Sequence, residues 1–151
     1  SSDVCSSDLR IEIDNDSGRD CDEASIKSVA DFVMNQMGLH PDCELAIRLV
    51  DLDEMSDLHM QWMDESGPTD VLSFPMDELS PNSAPEGPGM LGDVVLCPDY
   101  AEQNGKQSLE KELLLLTVHG VLHLMGFDHR QSDEEKIMFK LQQDLLNEWA
   151  K

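Results

Sequence analysis

Three of the five histidines of this chain fall within a single short stretch, HGVLHLMGFDH, from His119 to His129. His119 and His123 are four residues apart. On a helix they project from one face, one turn apart, within reach of one metal ion. Gly126 then ends the helix, because glycine tolerates the left-handed conformation that turns the chain. Three residues further on, His129 can swing back to the same ion. The pattern H-x3-H-x2-G-x2-H supplies three imidazoles and leaves one position open for water, which is how catalytic rather than structural zinc is held. Such an ion lowers the pKa of its water to about 7 or polarises a substrate oxygen. A single histidine on an apolar helix is ordinarily a hydrogen-bonded core residue. Three at this spacing, with the glycine in place, point to a metal.

The elements that must position these residues can be read from periodicity. Arg10 to Asp14 alternates as a strand, and Asn15 to Gly18 is a turn. From Glu23, the residues Ile26, Val29, Ala30, Val33 and Met37 recur at helical spacing, with Gly38 as a stop. Glu44 to Val50 is a second strand, and Asp51 to Met63 a second helix. Thr69 to Phe74 reads as a strand, Glu78 to Gly92 as a proline- and glycine-rich loop, and Asp93 to Cys97 as another strand. Pro98 to Gln107 is a short helix and turn. Leu109 to Met125 is a long helix, apolar on nearly every face and therefore central. Ser132 to Glu135 forms a capping box for a last helix whose buried stripe is Met138, Leu141, Leu145 and Trp149. The order predicts an α+β fold: a small mixed four-stranded sheet packed with about five helices. Residues 1–9, SSDVCSSDL, lack useful periodicity and read as a non-native or disordered tail, leaving 10–151 as a single domain.

Composition narrows the partners. The net charge is −22, from 32 acidic and 10 basic side chains. A field of that sign repels nucleic acid, so any nucleic-acid role must rest on a local site. No apolar run approaches the ~20 residues that span a bilayer, so no membrane association is expected. The start lacks a basic region followed by an apolar core, and a cytoplasmic location is expected. Cys5, Cys21, Cys43 and Cys97 are scattered, without a CxxC pair, as in a reducing compartment.

The histidine spacing is also that of the metzincin proteases, in which a glutamate after the first histidine is the general base. Here that position is Gly120, which cannot take a proton. HGVLHLMGFDH, with GPTDVLSFP (Gly67 to Pro75) and LGDVVLC (Leu91 to Cys97), resembles the YbeY family of bacterial endoribonucleases. The three motifs stand in the family's order, and the resemblance runs from about Ile11 to Trp149. The stretch from Gln61 to Leu79 and the DEEKIMFKLQ helix look most like actinobacterial members. The resemblance implies a zinc-bearing endoribonuclease that prefers single strands and acts in 16S rRNA maturation and quality control of the small ribosomal subunit. It implies His119, His123 and His129 as metal ligands, with the metal in a cleft beside the sheet. It also implies ribosomal proteins and the GTPase Era as partners, and no DNA. Many members carry an arginine shortly before the PTDVLSF motif. Gln61 or Met63 stands there, so either catalysis is weakened or Arg130 or Arg48 supplies the cation for phosphate.

Smaller features divide between chemistry and structure. Asp128 can orient a ligand histidine or act as a base, or it can cap the turn. Thr69, Asp70 and Ser73 belong to the family motif. Thr69 and Arg130 are candidates for substrate binding and Ser73 for catalysis, while turn and strand hydrogen bonding is the plainer role for Thr69 and Ser73. Asp93 reads as structural as readily as functional, His59 as a surface residue and His40 as structural. Trp62 can stack on a base, but its spacing from Leu58 favours the core. Two other readings use the same histidines: a metalloprotease-like hydrolase, disfavoured by Gly120, and a non-catalytic assembly factor with a structural zinc, favoured by the charge.

Overall fold

The computed structural model describes residues 11–40, 42–63, 69–77, 79–87, 89–105, 107–127 and 132–150. Four strands form one sheet: β1 (Ile11–Asn15), β2 (Glu44–Leu49), β3 (Val71–Pro75) and β4 (Met90–Leu96). Five helices surround it: α1 (Glu23–Gln36), α2 (Leu52–Met63), α3 (Pro98–Asn104), α4 (Leu109–Leu124) and α5 (Ser132–Trp149). The strand order is β1-β2-β4-β3. β1, β2 and β4 run parallel, and β3 closes one edge antiparallel to β4. This is the mixed α+β sheet that the element order predicts.

Strand alternation divides the core in two. Leu45, Ile47 and Leu49 of β2 and Leu91, Val94 and Leu96 of β4 turn to the face covered by α1, α4 and α5. Leu72 of β3 and Val95 of β4 turn to the other face, where they meet Val50, Met55 and Cys97, with Leu52 and Leu58 of α2 against them. Helix α4 buries Leu113, Leu116, Val118, Val121, Leu122 and Leu124. Its buried Thr117 hydroxyl donates to the Leu113 carbonyl at 2.7 Å, which satisfies a fully buried polar group. Ser108 caps the N-terminus, accepting from Lys111 N.

The boundaries differ from the sequence expectation in a few places. β1 extends through Asn15, whose side-chain oxygen then accepts from Ser17 N and Ser17 Oγ to make the turn. Arg10 lies outside the described residues. β4 begins at Met90 rather than Asp93, since Met76 N and Asp77 N donate to the carbonyls of Leu91 and Met90. A short 3₁₀ turn, Ala84–Glu86, interrupts the expected loop. Trp62 is not in the core: it is 60% exposed. The last turn of α2 leaves the buried cluster, and the indole rests edge-on against Phe74, with ring centroids 5.9 Å apart.

Cys43 and Cys97 are buried and Cys21 half-buried, all three as free thiols. Burial pushes the Cys97 and Cys21 thiols up from their ordinary range, so they stay protonated and inert at neutral pH. Among the described residues no helix is long and apolar enough to cross a membrane.

Candidate metal centre

Helix α4 carries His119 and His123 on one half-buried face, as the four-residue spacing requires. Their imidazoles meet edge to face, with centroids 4.5 Å apart, and the two Nε2 atoms approach to 3.0 Å. Two nitrogens that share a tetrahedral zinc at its usual bond length sit about 3.3 Å apart. The Nε2 separation here is within a few tenths of an ångström of that distance, and imidazole suits zinc.

The helix ends where the motif demands. Gly126 N donates to the His123 carbonyl and Phe127 N to the Leu122 carbonyl, the paired bonds of a Schellman C-cap. Gly126 has φ +100°, and a Cβ there would meet nothing within 4 Å. Conformation alone selects the glycine. His129, with Asp128 and Arg130, lies outside the described residues. Among the described residues no three His, Cys, Asp or Glu side chains gather at one point; the site is seen as a pair.

Gln142 of α5 completes the visible geometry. Its Oε1 lies 2.5 Å from His119 Nδ1. An amide oxygen only accepts, so the contact calls for a proton on Nδ1, which in the neutral ring leaves the lone pair on Nε2. Gln142 is 5% exposed and sits between Met138 and Leu145 on the buried face of α5. Leaving a buried amide unbonded there costs about 1–3 kcal/mol. Sequence reading passed over Gln142. The signal was a polar residue inside an apolar stripe.

Gly120 faces the sheet. A Cβ at that position would lie 2.8 Å from Val94 Cγ1 and 3.3 Å from Ser73 Oγ. The site of the metzincin base is thus occupied by close packing of α4 on β3 and β4. Ser73 Oγ, half-buried, donates to the Gly120 carbonyl at 3.2 Å. Thr69 and Asp70 lie just before β3, where Thr69 Oγ1 approaches Asp70 Oδ1 at 3.4 Å and the Asp70 carbonyl accepts from Cys97 N. The PTDVLSF motif accordingly fastens β3 to β4 and to the histidine helix.

Arg48 does not reach this site. It alternates with the residues facing α4, so it lies on the α2 side of the sheet. There it pairs with Glu54 at 2.6 Å and Asp16 at 3.6 Å. Those carboxylates hold its guanidinium above the ordinary arginine range, led by the Glu54 hydrogen bond. Asp93 pairs in register with Phe74 and Ala46 on that same side.

A histidine pair on a central helix, beside a mixed sheet and backed by a buried amide, is a candidate centre for metal-assisted hydrolysis. The family described as Endoribonuclease YbeY matches residues 11–150. An Endoribonuclease YbeY from Nocardia farcinica is 57% identical over 148 residues, covering 93% of this chain and 80% of that protein. Those from Mycolicibacterium smegmatis and Beutenbergia cavernae are each 56% identical, covering 94% and 91% of this chain and 84% and 95% of theirs. A solution structure from Thermotoga maritima superposes with a TM-score of 0.61 at 26% identity, over 92% of this chain and 88% of that one. The chain belongs to the YbeY endoribonuclease family.

Proposed function

We propose that this protein is a zinc-dependent endoribonuclease that cleaves single-stranded RNA in 16S rRNA maturation and in quality control of the small ribosomal subunit. One observation carries the metal: the Nε2 atoms of His119 and His123 converge to 3.0 Å, with the His119 proton held on Nδ1 by Gln142. His129 supplies the third imidazole. A zinc ion held by these imidazoles would supply Lewis-acid activation of water and of a phosphoryl oxygen. Asp128, next to His129, orients that ligand or takes the proton from the attacking water. Arg130 supplies the cation for the phosphate in place of the family arginine, since Arg48 is engaged elsewhere. Thr69 lines the substrate path. Ser73 acts on the site through the helix backbone, by its bond to Gly120.

Residues 10–151 form one catalytic domain, and the protein works in the cytoplasm on rRNA of the small subunit, with ribosomal proteins and the GTPase Era as further partners. The net charge of −22 confines RNA contact to this local centre. Gly120, filled against Val94, removes the support for a protease reading. The charge, together with the pairing of Arg48, favours one second reading, an assembly factor with a structural zinc.

The experiment is metal analysis joined to RNA cleavage. Purified protein carries about one zinc per chain, loses cleavage of a labelled single-stranded RNA on chelation, and regains it with added zinc. Metal-free protein that cleaves at the full rate would overturn the proposal.

A further inference from the structure

The amide of Gln142 is, among the described residues of α5, the one buried polar side chain, and it meets the outer nitrogen of a candidate ligand. We infer that Gln142 is a positioning residue of the metal centre: it fixes the tautomer and the ring orientation of His119 so that Nε2 presents its lone pair to the point shared with His123. The inference rests on the metal reading above and adds a residue to it that touches neither metal nor substrate.

Three observations carry it. The contact is short, 2.5 Å from Oε1 to Nδ1. Gln142 is 5% exposed, with Met138 at 0% and Leu145 at 6% one turn before and after it, so packing restricts its rotamer. The opposite nitrogen of the same imidazole is the one that approaches His123 Nε2, at 3.0 Å. A hydrogen bond to the far nitrogen both selects the tautomer and raises the basicity of the near one. Outer partners of this kind are worth about 10–100-fold in metal affinity.

The amide also explains how the two Nε2 atoms can face each other at 3.0 Å. With the His119 proton on Nδ1, its Nε2 accepts from His123 Nε2–H. Presenting both Nε2 lone pairs to one point then requires only that His123 shift its ring proton to Nδ1, with no change of charge. Were the His119 proton on Nε2, two N–H groups would oppose each other at 3.0 Å.

The test uses the full chain in three forms: native, Gln142→Met, which keeps the length and apolar fit but removes the acceptor, and Gln142→Glu, which keeps an acceptor. Two-bond ¹H–¹⁵N correlation spectra of the metal-free proteins report the imidazole tautomers. Zinc affinity is measured by competition with a chromophoric chelator. The inference expects His119 protonated on Nδ1 in the native and Gln142→Glu proteins and a mixture of tautomers in Gln142→Met. It expects zinc affinity about 10–100-fold weaker in Gln142→Met and at least native in Gln142→Glu. A native His119 protonated on Nε2 would overturn it. So would a folded Gln142→Met protein with native tautomer and native zinc affinity. The spectra are recorded without metal, so they decide the Gln142–His119 relationship even if native protein binds no zinc, a result that would sink the metal reading instead.

Discussion

Ser73 donates its hydroxyl to the carbonyl of Gly120 at 3.2 Å, tying the edge strand β3 to the histidine helix one residue beyond His119. The bond gives the PTDVLSF motif a mechanical role at the site, because it sets how the His119 turn of α4 lies on the sheet. Ser73→Ala removes one partly buried hydrogen bond, worth about 0.5–1.5 kcal/mol. Stability should fall by about that much in urea titration, and kcat for RNA cleavage by less than tenfold. A loss of a thousandfold or more would make Ser73 a catalytic residue.

Gly120 is fixed by approach rather than by flexibility. In a helix interior, alanine gains about 1 kcal/mol over glycine. Here its Cβ would press 2.8 Å from a methyl of Val94, and overpacking costs about 1–3 kcal/mol. Val94 cannot swing away cheaply, since its β-branched side chain is stiff and fully buried. Gly120→Ala should therefore gain nothing from its better helix propensity and be less stable than native by up to about 2 kcal/mol in chemical unfolding. Gly120→Glu should fail to fold and should show no peptidase activity.

Gly126 is fixed by conformation. Its φ of +100° and empty surroundings mean that an added methyl meets strain without a clash. Gly126→Ala should lose about 1–2 kcal/mol. It should also lose part of the stabilisation that zinc gives the native protein, because the turn toward His129 opens. Thermal unfolding with and without zinc measures both effects.

Arg48 and Arg130 separate by location. Arg48 is about one-third exposed and paired to Glu54 and Asp16, so Arg48→Gln should cost at most about 1 kcal/mol and leave cleavage within about twofold. Arg130→Gln should reduce kcat/KM by roughly ten- to a hundredfold, the worth of a charge-assisted hydrogen bond to phosphate. Steady-state kinetics of the two variants side by side checks the assignment.

The element order was legible because local periodicity records it. Ile26, Val29 and Val33 mark the inner face of α1, and all are buried. The histidine pair was legible for the same reason, since four-residue spacing on an apolar helix fixes one face. Trp62 was misplaced because periodicity says which way a residue points and not where the sheet beneath it ends. β4 was shortened because its first residues, Met90 to Gly92, are masked by glycine, and only their pairing across to Pro75–Asp77 makes them a strand. Gly120 could be read as the absence of a base but not as a packing contact, which depends on Val94, distant in sequence. Gln142 was hidden for a similar reason: its partner, His119, is 23 residues away.

Cleavage of a labelled single-stranded RNA by native protein and by His123→Ala, each stripped of metal and then given zinc, tests the central claim most directly. The account predicts zinc-restored cleavage by the native protein, and a loss of at least a thousandfold in His123→Ala, with both proteins folded. Equal cleavage by the two would contradict it.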